Sequence, residues 1–146
     1  MSNDCLICNR IEKIKEKTNR YFVKELKTGY VVIGDYQFYK GYTLFLAKKH
    51  VAELHELDDE YRKEFLYEMS LVAKAVFKAF QPEKLNYELL GNAVPHLHWH
   101  LFPRYKDDPN PNMPIWVIDK KIRSNEETLV KDDELEKLKK RLISQL

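Results

Sequence analysis

The sequence predicts an α+β domain, an antiparallel sheet of about five strands with one long central helix and a C-terminal helix. Three observations predict it. From Asp58 to Phe80 apolar residues recur at intervals of three and four, as an amphipathic helix requires. On either side lie short runs rich in aromatic and β-branched residues, bounded by glycine, proline or charged residues, as half-buried strands are. Near the end, Asp132 to Leu146 carries a second helical stripe. With 146 residues, 44% of them hydrophobic, the chain can fill one compact core. Residues 1–146 are therefore expected to form a single domain, with 104–146 as a C-terminal loop and helix extension.

The elements follow in order. Tyr21 to Leu26 and Tyr30 to Ile33 read as the two strands of a hairpin, with turn chemistry in Lys27-Thr28-Gly29 between them. Thr43 to Ala47 is short and apolar, bounded by Gly41 and by Lys48-Lys49-His50, and predicts a strand running from the core to a polar edge. The long helix places Tyr61, Phe65, Met69, Val72, Val76 and Phe80 on one face; Asp58 and Asp59 suit its positive N-terminal end and Pro82 stops it. Leu85 to Leu90 and His96 to Phe102 predict two more strands. Arg104 to Pro114, which holds three of the four prolines Pro103, Pro109, Pro111 and Pro114, predicts a loop. In the last stretch Leu135, Leu138, Leu142 and Ile143 share a stripe that suits packing on the body or on a partner subunit.

Charge excludes some classes. Lys and Arg number 25 against 23 acidic residues, and a net charge of +2 gives no global field for nucleic acid or a membrane surface. The start, MSNDCLICNR, lacks the apolar core of a secretory signal, and no run approaches the roughly 18 apolar residues of a membrane span. A cytoplasmic protein is expected. The only cysteines, Cys5 and Cys8, have a spacing that suits one metal ion or a redox pair better than the disulfide of a secreted domain, although two incidental thiols would read the same.

Chemistry concentrates in one strand. His96, His98 and His100 alternate with Leu97, Trp99 and Leu101, so a strand puts three imidazoles on one face and an apolar stripe on the other. Same-face neighbours along a strand are separated by about 6 to 7 Å, within reach of one phosphate or one metal ion. Histidine titrates near neutrality, so the row can supply a nucleophile, a proton donor and a phosphate ligand. The same row could instead chelate a catalytic zinc with an open water position. His55, alone before the helix, reads as a surface residue.

The segment Gly91-Asn92-Ala93-Val94-Pro95-His96-Leu97-His98-Trp99-His100-Leu101-Phe102-Pro103-Arg104 resembles the HxHxHxx signature of the histidine triad (HIT) superfamily. Lys40-Gly41-Tyr42-Thr43-Leu44, Lys48-Lys49-His50 and Cys5-Leu6-Ile7-Cys8 resemble further landmarks of that family in the same order, and the resemblance covers about residues 5 to 105. It implies a HIT-like fold and attack by the middle histidine, His98, on the α-phosphorus of a nucleotide, giving a nucleotidyl-histidine that water or another acceptor resolves. His100 would hold the phosphate or assist the leaving group, and amides near Asn92 and Ala93 would meet the developing charge. The substrates implied are dinucleoside polyphosphates or nucleoside phosphoramidates, and the assembly implied is a homodimer. Several branches bind structural zinc through residues corresponding to Cys5, Cys8, His50 and His96, a Cys₂His₂ set suited to a closed tetrahedral ion. His96 would then be a ligand.

The chain departs from the pattern in places. Gly91-Asn92-Ala93 stands where many members have Gly-Gln-Ser or Gly-Gln-Thr, so a hydroxyl is missing near the leaving group. The loop from Asn86 to Gly91 is shorter than in polyphosphate hydrolases. With Gly41 and His50 held in register, the ribose-binding aspartate falls on Gly34, and Asp35 comes one place later, where a strand residue faces the other way. Asp35 is kept as a substrate-binding candidate. Tyr42 stands where a histidine is common, Arg104 reads as a phosphate contact or a surface charge, and Trp116 either covers a ligand or closes an apolar edge. A nucleotide-binding module with weak turnover is the alternative that these departures allow.

Overall fold

The computed structural model of the chain describes residues 4–146 and has the expected α+β architecture. Helix α1 (Leu6–Lys15) is followed by strands β1 (Phe22–Glu25), β2 (Gly29–Ile33) and β3 (Thr43–Ala47), then by α2 (Asp59–Phe80), β4 (Lys84–Glu88) and β5 (His98–Arg104). A short helix α3 (Lys120–Arg123) and α4 (Asp132–Ile143) complete the chain. The strands form one antiparallel sheet in the order β1-β2-β3-β5-β4. β4 is laid down at the edge after α2, and β5 returns between it and β3. Among the described residues no helix is long and apolar enough to cross a membrane.

Alternation along the strands assigns the two faces. Val31 and Ile33 of β2, Phe45 of β3 and Leu101 of β5 point to one side, where they form a common core with Phe65, Val72 and Val76 of α2 and Leu135, Leu138 and Leu142 of α4. Phe45 stacks on Phe65 at 5.4 Å. Tyr30, Val32 and Leu46 point to the other side and are covered by Ile7, Ile11 and Ile14 of α1. That helix was not predicted, although Ile7, Ile11 and Ile14 recur at helical spacing; its N-cap is Cys5, whose Sγ accepts from the Cys8 amide. α2 begins where the acidic pair suggested, with the Asp58 side chain accepting from Tyr61 N at 3.0 Å. It ends at Gln81, which takes the left-handed cap conformation at φ 51° ahead of Pro82.

A buried carboxylate joins the helix to the hairpin. Glu68, 7% exposed, accepts from the amides of Lys27 and Thr28 at 2.9 and 2.7 Å and from the Thr28 hydroxyl, so the predicted turn is held by α2. Such a set satisfies a charge that would otherwise be costly to bury. The predicted strand starting at His96 instead begins at His98. Leu97 lies outside the ladder, its amide bonding Val51 O and its carbonyl accepting from Ala47 N. The in-and-out alternation survives, with Leu97 and Leu101 3% and 0% exposed.

Candidate active site and metal cluster

His98 and His100 lie on the sheet face that α1 covers only in part, with ring centroids 4.7 Å apart. His98, 7% exposed, places Nδ1 2.6 Å from the carbonyl oxygen of His96. A carbonyl can only accept, so the ring proton sits on Nδ1 and Nε2 carries the free lone pair. Burial lowers the His98 pKa, against the opposing pull of that hydrogen bond. His100 is pushed down to about 4 by burial, with a further contribution from His98. Both rings are neutral near pH 7.

The partner of His100 is Tyr42. Its hydroxyl lies 2.6 Å from His100 Nδ1, and burial raises its pKa, so the phenol stays protonated. A phenol can donate to Nδ1 or accept from it, so the contact fixes the place of the ring and not its tautomer. Tyr42 is held by stacking on Phe102 at 4.1 Å and 8°, and it packs over Gly34. A Cβ at position 34 would meet the Tyr42 ring at 2.2 Å. The sequence marked Tyr42 and Gly34 as separate departures; in the fold they are one exchange, a small residue making room for a ring.

The remaining candidates divide. Asn92 and Ala93 are exposed in the bend after Gly91, whose φ is 80°, and among the described residues their amides make no hydrogen bond within the chain. Asp35 is held elsewhere. Both its oxygens bond Arg10, at 2.7 and 2.8 Å, on the flank of α1. Arg104 is not a surface charge: it is 3% exposed, and its guanidinium donates to Asp108, to Asn86 Oδ1 and to the carbonyls of Met113 and Asn110. It braces the loop after β5. Trp116 is pinned by its indole N–H to Glu88 at 3.1 Å while 47% exposed.

His96 is set apart from its neighbours in the row. Fully buried, it sends Nε2 to the Ala47 carbonyl at 2.8 Å, which leaves the lone pair on Nδ1. That nitrogen is 3.1 Å from His50 Nδ1, 3.4 Å from Cys5 Sγ and 3.5 Å from Cys8 Sγ. Cys8 Sγ is also 3.3 Å from His50 Nδ1, and the four donor atoms lie within 4.8 Å of one another. The edges of a tetrahedron with metal–ligand bonds of about 2.0 to 2.3 Å are about 3.3 to 3.8 Å, close to the four shorter separations, so the donors could close on one four-coordinate ion with a small inward shift. With both nitrogens engaged away from His98 and His100, His96 does not complete a three-histidine chelate. Burial first, then the Cys5 thiol, push the Cys8 thiol up to about 11, the penalty that a cation at this point would offset.

An open antiparallel sheet bearing adjacent neutral imidazoles on one strand is the arrangement expected of a histidine triad protein. The HIT domain family matches residues 11–107, and the chain belongs to that family. It is 35% identical over 74 residues to "Protein hit" of Bacillus subtilis, covering 47% of this chain and 51% of that protein. Over 105 residues it is 28% identical to the adenosine 5'-monophosphoramidase HNT1 of Saccharomyces cerevisiae, covering 68% and 62%. The chain thus spans about half the length of the first relative and less than two thirds of the second. A histidine triad protein from Sinorhizobium meliloti shares the fold with a TM-score of 0.75 at 24% identity, over 90% of this chain and 94% of that one.

Proposed function

We propose that the chain is a nucleotide hydrolase or nucleotidyltransferase acting at the α-phosphate of a nucleoside phosphoramidate or dinucleoside polyphosphate through His98. The observation that carries this reading is the His98 Nδ1 hydrogen bond to the His96 carbonyl, which leaves an unprotonated Nε2 on a buried ring. Similarity to an adenosine 5'-monophosphoramidase supports the phosphoramidate class. His98 Nε2 forms a bond to phosphorus as the bond to the leaving nitrogen or oxygen breaks; the leaving atom takes a proton from solvent, and His100 stays neutral and hydrogen-bonds the phosphoryl group. Water then attacks the same phosphorus, releases a proton to solvent, and displaces His98 as a neutral imidazole. The free amides of Asn92 and Ala93 donate to the phosphoryl oxygens as charge builds on them.

Cys5, Cys8, His50 and His96 would hold a structural zinc ion, whose contribution is to close the coordination of three buried donors and of His50, which is exposed. It ties the start of α1 to the approach to β5. The same reading takes residues 1–146 as a single domain with 104–146 as its C-terminal extension, assembling as a cytoplasmic homodimer on a nucleotide ligand, without nucleic acid or membrane partners.

The test is turnover of adenosine phosphoramidate and of a dinucleoside polyphosphate by the chain and by His98→Ala. A loss of about a thousandfold or more is expected, together with disappearance of a trapped nucleotidyl-protein. Equal turnover by both forms rejects the mechanism. The Arg10–Asp35 pair favours a second reading, a nucleotide-binding module with weak turnover, because it removes a carboxylate from ligand contact. Tight calorimetric binding of nucleotides without measurable hydrolysis would select it.

A further inference from the structure

The approach to α3 and that helix itself add something to the site that the phosphate chemistry does not use. They bring Trp116 and Arg123 to the face carrying His100 and Phe102 and close a cavity of about 150 Å³ there. Both residues lie beyond the 11–107 span of the HIT domain match. Tyr39, Tyr42, His100, Phe102, Trp116 and Arg123 are among its walls. His100, Tyr42 and Phe102 form a near-parallel stack, with interplanar angles between 7° and 13°. Trp116 stands across it at 83° to Phe102.

Two features distinguish this from ordinary packing. Tyr39 is 3% exposed, yet its hydroxyl is buried without a hydrogen-bond partner, an arrangement that costs free energy unless something else meets it. Trp116 is fixed by Glu88 and by the guanidinium of Arg123 at 5.0 Å from its ring, yet remains 47% exposed. An aromatic side chain held rigid and left half open is the form of a stacking platform, not of a core residue. The second oxygen of Glu88 is also buried and unpartnered.

We propose that this cavity is the subsite for the planar ring of an aromatic or heteroaromatic phosphate compound whose phosphate sits at His98 and His100. The inference rests on the reading of those histidines as the phosphate site. The ring stacks among Tyr42, Phe102 and Trp116, the Tyr39 hydroxyl meets a polar atom on it, and Arg123 favours an electron-rich edge. Ring stacking, supplied by a segment outside the family's matched region, therefore sets ligand preference.

Calorimetric titration with AMP, phenyl phosphate and ribose 5-phosphate tests it, using the full chain, Trp116→Leu and Trp116→Phe. AMP and phenyl phosphate should bind about tenfold or more tighter than ribose 5-phosphate, and Trp116→Leu should remove most of that margin while leaving ribose 5-phosphate within about twofold. Trp116→Phe should restore it. AMP tighter than phenyl phosphate would assign the subsite to a nucleobase, and equal affinities to any aryl ring. Equal binding of all three probes, no binding of any, or a uniform effect of Trp116→Leu would overturn the proposal. The His98→Ala turnover assay stands apart from this: it can fail while ring preference holds, and the reverse.

Discussion

At the scale of single residues, the partners of the ring nitrogens set the chemistry. His98 and His100 differ in what their Nδ1 atoms face, a carbonyl that only accepts and a phenol that can donate or accept. Their shifted ionisation also has a consequence for stability. His100 is pushed from an ordinary histidine value down to about 4 in the fold, mainly by burial. The unfolded chain binds this proton more readily than the folded one, so the stability linked to His100 is present above about pH 6.5 and is lost as pH falls from there toward about 4. Urea unfolding from pH 7 to pH 4.5 should show a smaller loss for His100→Asn than for the parent chain. Parallel pH profiles would refute it. The row of imidazoles was legible from alternation alone, because a period of two is a local property. The hydrogen-bond partner of His100 was not, since Tyr42 lies 58 residues away in the chain.

At the scale of elements, close approach matters more than propensity. Gly34 follows β2 and Tyr42 precedes β3, and the backbone between them returns with Gly34 N bonded to Tyr42 O at 2.9 Å. The ring lies over the glycine with no space for a methyl group. Gly34→Ala is expected to cost about 1 to 3 kcal/mol and to break the hydrogen bond to His100. Adding Tyr42→Ala should recover much of the stability, giving a favourable coupling in a double-mutant cycle by denaturant titration. A Gly34→Ala chain within about 0.5 kcal/mol of the parent would show that the ring moves aside freely. The strands, α2 and α4 were readable from apolar spacing. α1 was missed although Ile7, Cys8, Ile11 and Ile14 recur at helical spacing, because Cys5 and Cys8 read first as ligands rather than as part of an apolar face.

For the whole molecule, the chain outside the matched region is not a decoration. Leu135, Leu138 and Leu142 of α4 are each 1% exposed or less and share a core with α2 and the sheet. Losing one such leucine to alanine typically costs about 2 to 5 kcal/mol, which is a large part of a small domain's stability. A chain ending at residue 107 should lose cooperative thermal unfolding and near-ultraviolet circular dichroism; a sharp transition in that fragment would show that the HIT region folds alone. Metal acts at the same scale. Elemental analysis should find about one zinc per chain, absent from Cys5→Ser, and a chelator should lower the melting temperature of the parent without affecting that of the variant. Metal-free parent protein with an unchanged melting temperature would remove zinc from the fold.

The amino-acid sequence by itself determined the α+β class, the hairpin, the long helix, the one-faced histidine row and the residue types of a Cys₂His₂ set. These are carried by short periods and by local turn chemistry. Only the tertiary structure decided which groups meet. It set His96 against Cys5 across 91 residues, as the family resemblance implied, tied Asp35 to Arg10, buried Arg104 and brought Trp116 to the edge of the site. Those pairings depend on strand register and on where long connections close, and a spacing read along the chain contains neither.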